Sequence, residues 1–276
     1  MAKKTKYLVD TSAVRPALAA STAAHCKHFQ DETKDGSLWT SLYIRMEFIR
    51  CWICELARIA FTIEHFSDVE QAMFYLEQEF SQRQNKGDIA CIGSFVKEIG
   101  PLRNCHAAAE EFASLAMRWL KKFDLVFASR ITNLCKCQIG GKTPNVDYDN
   151  LLPDLHEFYK SFVTPVTDCE VNAFLQIGVA KGRAEALLSD PLALKLTAVE
   201  NLAKLKQKEI WITCPDCAKI GDVIISLEQP GSWSLAHVDK SFNDLCRVLK
   251  RNNKEIKSVR AFDKELQAIL RPKKDS

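Results

Sequence analysis

A chain of 276 residues, 47% hydrophobic and 26% charged, has the length for one core with an elaboration or for two small domains. A formal net charge of +3 permits a local basic face without the bias of a dedicated nucleic-acid domain, and no stretch approaches the ~18 consecutive apolar residues that would read as a membrane span. Eleven cysteines, an odd number, argue for reduced thiols or a metal site rather than a disulfide framework, and the MAKKTK start runs into a strand instead of a secretory apolar segment, so a cytoplasmic protein is expected.

At the amino end, TKYLVDTSAV sets Tyr7, Leu8 and Val9 ahead of Asp10, with Thr11 and Ser12 suited to begin a helix. Asp10 is therefore expected at the carboxyl end of a strand. ALAASTAAHCKHF reads as a helix, DETKDG as a polar turn and SLWTS as a second strand; LYIRMEFIRCWICELARIAF then reads as a long amphipathic helix with Glu47 in its second turn. In that helix Cys51 and Cys54 share a face and read as small buried hydrophobes.

From about Phe66 to Lys208 the pattern is helical with little strand signal, interrupted by the loop-like NLCKCQIGGKTPNVDYDN with its breakers Gly140, Gly141 and Pro144. Beyond it EIWIT, residues 209–213, reads as a short buried strand. AKIGDVIISLEQ reads as a helix carrying Asp222 near its start, and SWSLAHV as a strand running into Asp239. The LRPKKDS tail is a short charged terminus.

This order delivers Asp10, Glu47, Asp222 and Asp239 to one edge of a parallel sheet, the edge at which open α/β folds bind ligands. A single aspartate at a strand end is commonly a helix cap. Four converging carboxylates are different, because they repel one another unless a cation neutralises them. Oxygen-only donors favour magnesium or manganese, and such an ion activates water and stabilises charge developing on a phosphodiester.

The VDTSAV start, the helical Glu47 after the second strand, the KIGDVIISLE helix and HVDKSFNDL resemble the PIN-domain ribonucleases, the group that includes the VapC-type toxins. The resemblance implies an α/β fold, a PIN-like parallel sheet flanked by helices and built from residues 1–65 and 209–276, interrupted by a mostly α-helical insertion over 66–208. It implies Asp10, Glu47, Asp222 and Asp239 as the catalytic quartet holding Mg2+ or Mn2+, with Ser12 as the helix-start hydroxyl. The activity implied is endonucleolytic cleavage of RNA without a covalent intermediate, by a toxin-like enzyme restrained by an inhibitory protein or by a processing nuclease. Where the family usually has Thr or Ser two residues before the last acid, this chain has His237, which reads as a substrate or metal contact or as a hydrogen-bonded structural residue.

Lys219, one turn before Asp222, is the candidate for a substrate phosphate, or else an ordinary solvated lysine. Glu228, later in the same helix, falls outside the quartet, so its substitution is expected to leave cleavage near wild type. The insertion reads as a substrate-guiding lid, a homo-oligomer surface or a docking module. The last of these carries the alternative function, a non-catalytic PIN-like scaffold binding a protein partner. A phosphatase with an aspartyl nucleophile fits less well, since VDTS lacks the second Asp such enzymes use as acid and base.

Two cysteine pairs stand apart. Cys135 and Cys137 form C-x-C beside turn formers, and Cys214 and Cys217 form C-x2-C ahead of Asp222. Four thiols in two close pairs can assemble a tetrahedral structural Zn2+ site; the alternatives are unrelated buried thiols or, for the C-x2-C alone, a redox motif.

Overall fold

The computed structural model describes residues 4–13, 29–82, 104–127, 130–132, 134–141, 147, 150–163, 169–208 and 212–256; of these, the side chains of 77, 80–82, 138, 214 and 215 fall outside the description. Its centre is β1 (Thr5–Val9), whose Tyr7, Leu8 and Val9 are buried, as a parallel strand covered on both faces requires. On one side β1 pairs with β2 (Gly36–Ser41), Leu8 opposite Trp39; on the other it pairs with β4 (Ser234–His237), Val9 opposite Ala236. The short β3 (Ile131–Thr132) lies beyond β2, and β5 (Asn252–Glu255) beyond β4. The five strands run in the order β3-β2-β1-β4-β5, all parallel, and helices flank them. Parallel pairing sends every strand's carboxyl end to the same edge.

The chain leaves β2 directly into α1 (Leu42–Phe48). Ser41 is extended, and its hydroxyl accepts the Ile44 N–H at 3.1 Å, capping the new helix. A widened turn, Ile49–Ile53, connects α1 to α2 (Cys54–Glu64) without interrupting the helical path. After α3 (Val69–Gln82), α4 (Cys105–Phe127) packs against α2. The small buried residues Ala108, Ala113 and Ala116 on α4, with Ala57 and Ala60 on α2, keep the side chains between the two helices short. At the other end of the pair aromatic rings fill the space, with Phe48 and Phe123 4.5 Å apart and Trp52 and Trp119 5.8 Å apart between centroids.

Short α5 (Gln138–Gly141) and α6 (Leu151–Val163) follow, then α7 (Glu170–Gln176), α8 (Gly178–Ser189) and α9 (Thr197–Gln207). The stretch expected as one helix around Asp222 is two: α10 (Cys214–Lys219) and α11 (Gly221–Glu228), divided at Ile220. Last comes α12 (Ser241–Val248). Among the described residues no helix is long and apolar enough to cross a membrane.

Other sequence expectations meet the structure in part. Of EIWIT, residues 209–211 lie outside the described part; Ile212 and Thr213 are not in a strand, and Ile212 is held by a side chain. The Asn172 amide takes both its backbone groups, accepting the Ile212 N–H at 2.9 Å and donating to its carbonyl at 2.8 Å. The span 66–208, read as helical, also supplies β3, so it takes part in the sheet as well as covering it. β5 went unread because NNKE, half exposed at a sheet edge, has no apolar run to announce it. The helix expected over ALAASTAAHCKHF, apart from Phe29, and the LRPKKDS tail lie outside the described residues.

Arg45 fastens α1 to the elements around it. Its guanidinium is 4% exposed, donates to both Asp124 oxygens at 2.8 Å and gives a third bond to the Gly140 carbonyl at 2.6 Å. A Cβ at Gly140 would stand 1.9 Å from the Leu42 carbonyl oxygen, so only glycine lets α5 come this close to α1. Removing the cation strands the Asp124 carboxylate and the Gly140 carbonyl. Arg45→Ala should destabilise the fold by about 3 kcal/mol, the low end for a broken buried pair because Asp124 is partly exposed. Denaturant unfolding measures this, and a loss under about 1 kcal/mol would show that the clamp is dispensable.

Candidate functional site

The carboxyl end of β1 delivers Asp10. Its backbone N–H bonds to Ala236 O at 2.9 Å, locking β1 to β4 at the edge, and its carboxylate accepts the Ser12 N–H at 2.9 Å and the Ser12 hydroxyl. Ser12 Oγ also accepts the Val238 N–H at 3.2 Å, so one hydroxyl joins the Asp10 turn to the strand leading to Asp239. Glu47 comes from α1, where the Thr11 hydroxyl donates to its Oε2 at 2.9 Å. Asp222 lies in the first turn of α11, where the helix dipole favours a carboxylate. Ser241 then connects the last two acids, its hydroxyl donating to Asp222 Oδ2 at 3.0 Å and its backbone N–H to Asp239 Oδ1 at 2.9 Å.

At Gly221 α11 comes close to the side chains of α1. A Cβ there would stand 2.6 Å from Glu47 Oε1 and 3.4 Å from the Tyr43 hydroxyl. The result is a line of acids in one another's field. Burial, then the Glu47 charge, pushes the Asp10 carboxyl up to about 8. Burial raises Glu47 as well, with Arg50 opposing and Asp222 adding to the shift, and burial raises Asp222, with Asp239 adding to it. Asp239 itself is exposed. Four expected site residues are thus neighbours along one edge, and Ser12 is among them as a holder of Asp10.

Lys219 is not. Its ammonium is exposed and pairs with Asp216 on its own helix at 3.3 Å, with no contact to the acids among the described residues. The cation that does face them is Arg50, 3.9 Å from Glu47 Oε1. Its i,i+3 spacing from Glu47 was the available sequence signal. His237 is buried and packs on Phe242 at 5.3 Å between ring centroids. Neither ring nitrogen has a bonding partner among the described residues. Burial holds its pKa low, so it is a neutral packing group and not a replacement for a hydroxyl.

Glu228 also departs from expectation. It is fully buried and pushed up to about 7, chiefly by burial, while the Ser41 hydroxyl at 2.6 Å and the Cys135 N–H at 2.9 Å donate to its two oxygens. Since Ser41 caps the helix bearing Glu47, substituting Glu228 disturbs the site from below and is no neutral control.

Asp10, Glu47, Asp222 and Asp239 offer oxygen donors alone, the kind that suits a hard divalent ion, and burial with mutual repulsion raises the carboxyls of Asp10, Glu47 and Asp222. As they stand, no three His, Cys, Asp or Glu side chains among the described residues are gathered closely enough to enclose a metal. No family model matches the chain, and neither does a curated protein or a solved structure.

The raised carboxyls make stability depend on pH with a definite sign. Unfolded, an aspartate titrates near 4; folded, Asp10 keeps its proton up to about 8. Between these values the native state binds the extra proton, so its stability falls as pH rises through the window. Metal-free protein should melt progressively lower from about pH 5 to pH 8, and Asp10→Asn should flatten that slope. A wild-type slope no steeper than the variant's would refute the assignment.

Proposed function

We propose that the chain is a metal-dependent phosphodiesterase, and within that class a PIN-like endoribonuclease. The observation that carries the reading is the row of carboxyls along the edge where the strands end, Asp10, Glu47, Asp222 and Asp239, with Thr11, Ser12 and Ser241 hydrogen-bonded among them. The all-parallel sheet with Asp10 on its central strand supports the PIN-like arrangement. RNA as the substrate is the contribution of the sequence resemblance; the geometry speaks for phosphodiester chemistry.

In this reading Asp10, Glu47, Asp222 and Asp239 would hold Mg2+ or Mn2+. Such an ion supplies Lewis-acid activation of water and stabilisation of charge developing on the phosphoryl oxygens. The chain's own residues prepare the ground. Thr11, Ser12 and Ser241 aim carboxylate oxygens along the edge, and Gly221 sets the separation of α11 from Glu47. Arg50 offsets part of the negative charge before substrate arrives.

Asp222→Asn keeps the size and the Ser241 contact while removing charge. RNA cleavage should fall by about 100-fold or more, the range for loss of a group acting in the reaction. The gain in melting temperature on adding Mn2+ should shrink in parallel. Exposed Glu185 on α8 is the control, and Glu185→Gln should cleave like wild type. Unimpaired cleavage by Asp222→Asn in the same metal would move the chemistry elsewhere. Absence of cleavage in both proteins, with no response to metal, would favour the scaffold reading.

A further inference from the structure

Away from the acidic edge the fold gathers four thiols from three separate parts of the chain. The Asn172 amide, by holding both backbone groups of Ile212, brings the start of α7 next to the start of α10. Cys169, which precedes α7, thereby meets Cys217 on α10, their sulfurs 3.1 Å apart. The loop ahead of α5 adds Cys135 and Cys137. It is held there by a tight turn in which the Cys137 N–H bonds to Cys135 O at 2.7 Å, by the bond from Cys135 N–H to Glu228, and by Arg45 on Gly140. Cys169 lies within the electrostatic field of both loop thiols. Three of the four, Cys135, Cys137 and Cys217, are buried, and none forms a disulfide.

The two pairs differ in how readily a thiolate forms. Cys169 is drawn down to about 7, first by the neighbouring Cys217 sulfur and with help from the amides of Val171 and Asn172, whereas burial pushes Cys137 up to about 11 against the opposing amides of Ile139 and Gly140. Around thiolate metal sites such outer polar groups orient the ligands.

We propose that Cys135, Cys137, Cys169 and Cys217 are the ligands of one structural zinc ion, with Cys169 the member that the sequence spacing does not reveal. Each thiol releases its proton to solvent as its sulfur bonds to zinc, and no electron is transferred. With zinc–sulfur distances near 2.3 Å, tetrahedral sulfurs sit about 3.8 Å apart, so the Cys169–Cys217 pair opens slightly while the loop pair closes in. As the structure stands, Cys169 and Cys217 are in sulfur contact, and no three cysteines among the described residues enclose a metal position, so the loop with Cys135 and Cys137 has to close onto that pair. Zinc would tie β3's following loop, α7 and α10 together beneath the acidic edge, the Cys217 carbonyl accepting from Tyr43 on α1 at 2.8 Å.

Zinc content tests this without reference to RNA cleavage. Full-length protein from zinc-supplemented cells, purified without chelator, should carry one zinc per chain by mass spectrometric elemental analysis. Cys169→Ser should lose most of it, whereas Cys105→Ser, in a buried thiol on α4, and Asp222→Asn at the acidic edge should keep it. Zinc-free wild-type protein, zinc retained by Cys169→Ser, or zinc lost from Asp222→Asn would each overturn the site. Should Cys169→Ser fail to fold, a mercurial titration of wild-type protein decides. Zinc released in step with thiol modification supports the proposal, and zinc still bound after all thiols have reacted refutes it.

Discussion

Carboxyl groups taken out of water and set in one another's field are the constraint around which this fold is arranged. The compensation comes mainly from hydroxyls: Ser12 on Asp10, Thr11 on Glu47, Ser241 on Asp222, Ser41 on Glu228. A hydroxyl can donate to a carboxylate or accept from a protonated carboxyl by rotating its hydrogen. Such partners tolerate a change in the number of protons at the edge, where a fixed lysine would demand charge throughout. Arg50 is the exception, at 3.9 Å and so a weak one.

How much of this could be read from sequence varies with the kind of signal. β1, β2 and β4 were legible because buried parallel strands are written as short apolar runs ending in Asp10, Ser41 or His237. Asp10 and Asp239 were legible because each follows such a run, and Asp222 and Glu47 because each sits in an early turn of a helix that was itself legible. β3 and β5 were not, since two residues and a polar NNKE carry no period. The helix break at Ile220 was invisible too, because AKIGDVIISLEQ has helical character throughout. Contacts between distant segments were the hardest. Nothing local tells that Asn172 replaces a strand partner for Ile212, or that Arg50 rather than Lys219 faces the acids.

Glu228 shows how the two halves of the molecule communicate. It lies at the end of the helix that begins with Asp222, and its two oxygens reach the cap of α1 and the loop bearing Cys135. A change in its charge acts on both ends at once: it alters the acceptor available to Ser41 and the anchor of the thiol-bearing loop. With burial holding it near 7, that change falls within the physiological range.

The widened turn after Phe48 has a bearing on how the chain tolerates length changes. The Cys54 N–H reaches back five residues to the Ile49 carbonyl, so this turn holds one residue more than a regular helix would. Taking out that residue would return the turn to regular winding and leave the helix after it close to its present phase, whereas a deletion in regular winding turns everything after it by about 100°. At Leu56 the same deletion would swing Ala57, Ile59, Ala60 and Ile63 relative to α4, while Glu47 upstream stayed where β2 and Ser41 put it. The wide turn is therefore the place in this helical path where length can change without a change of face.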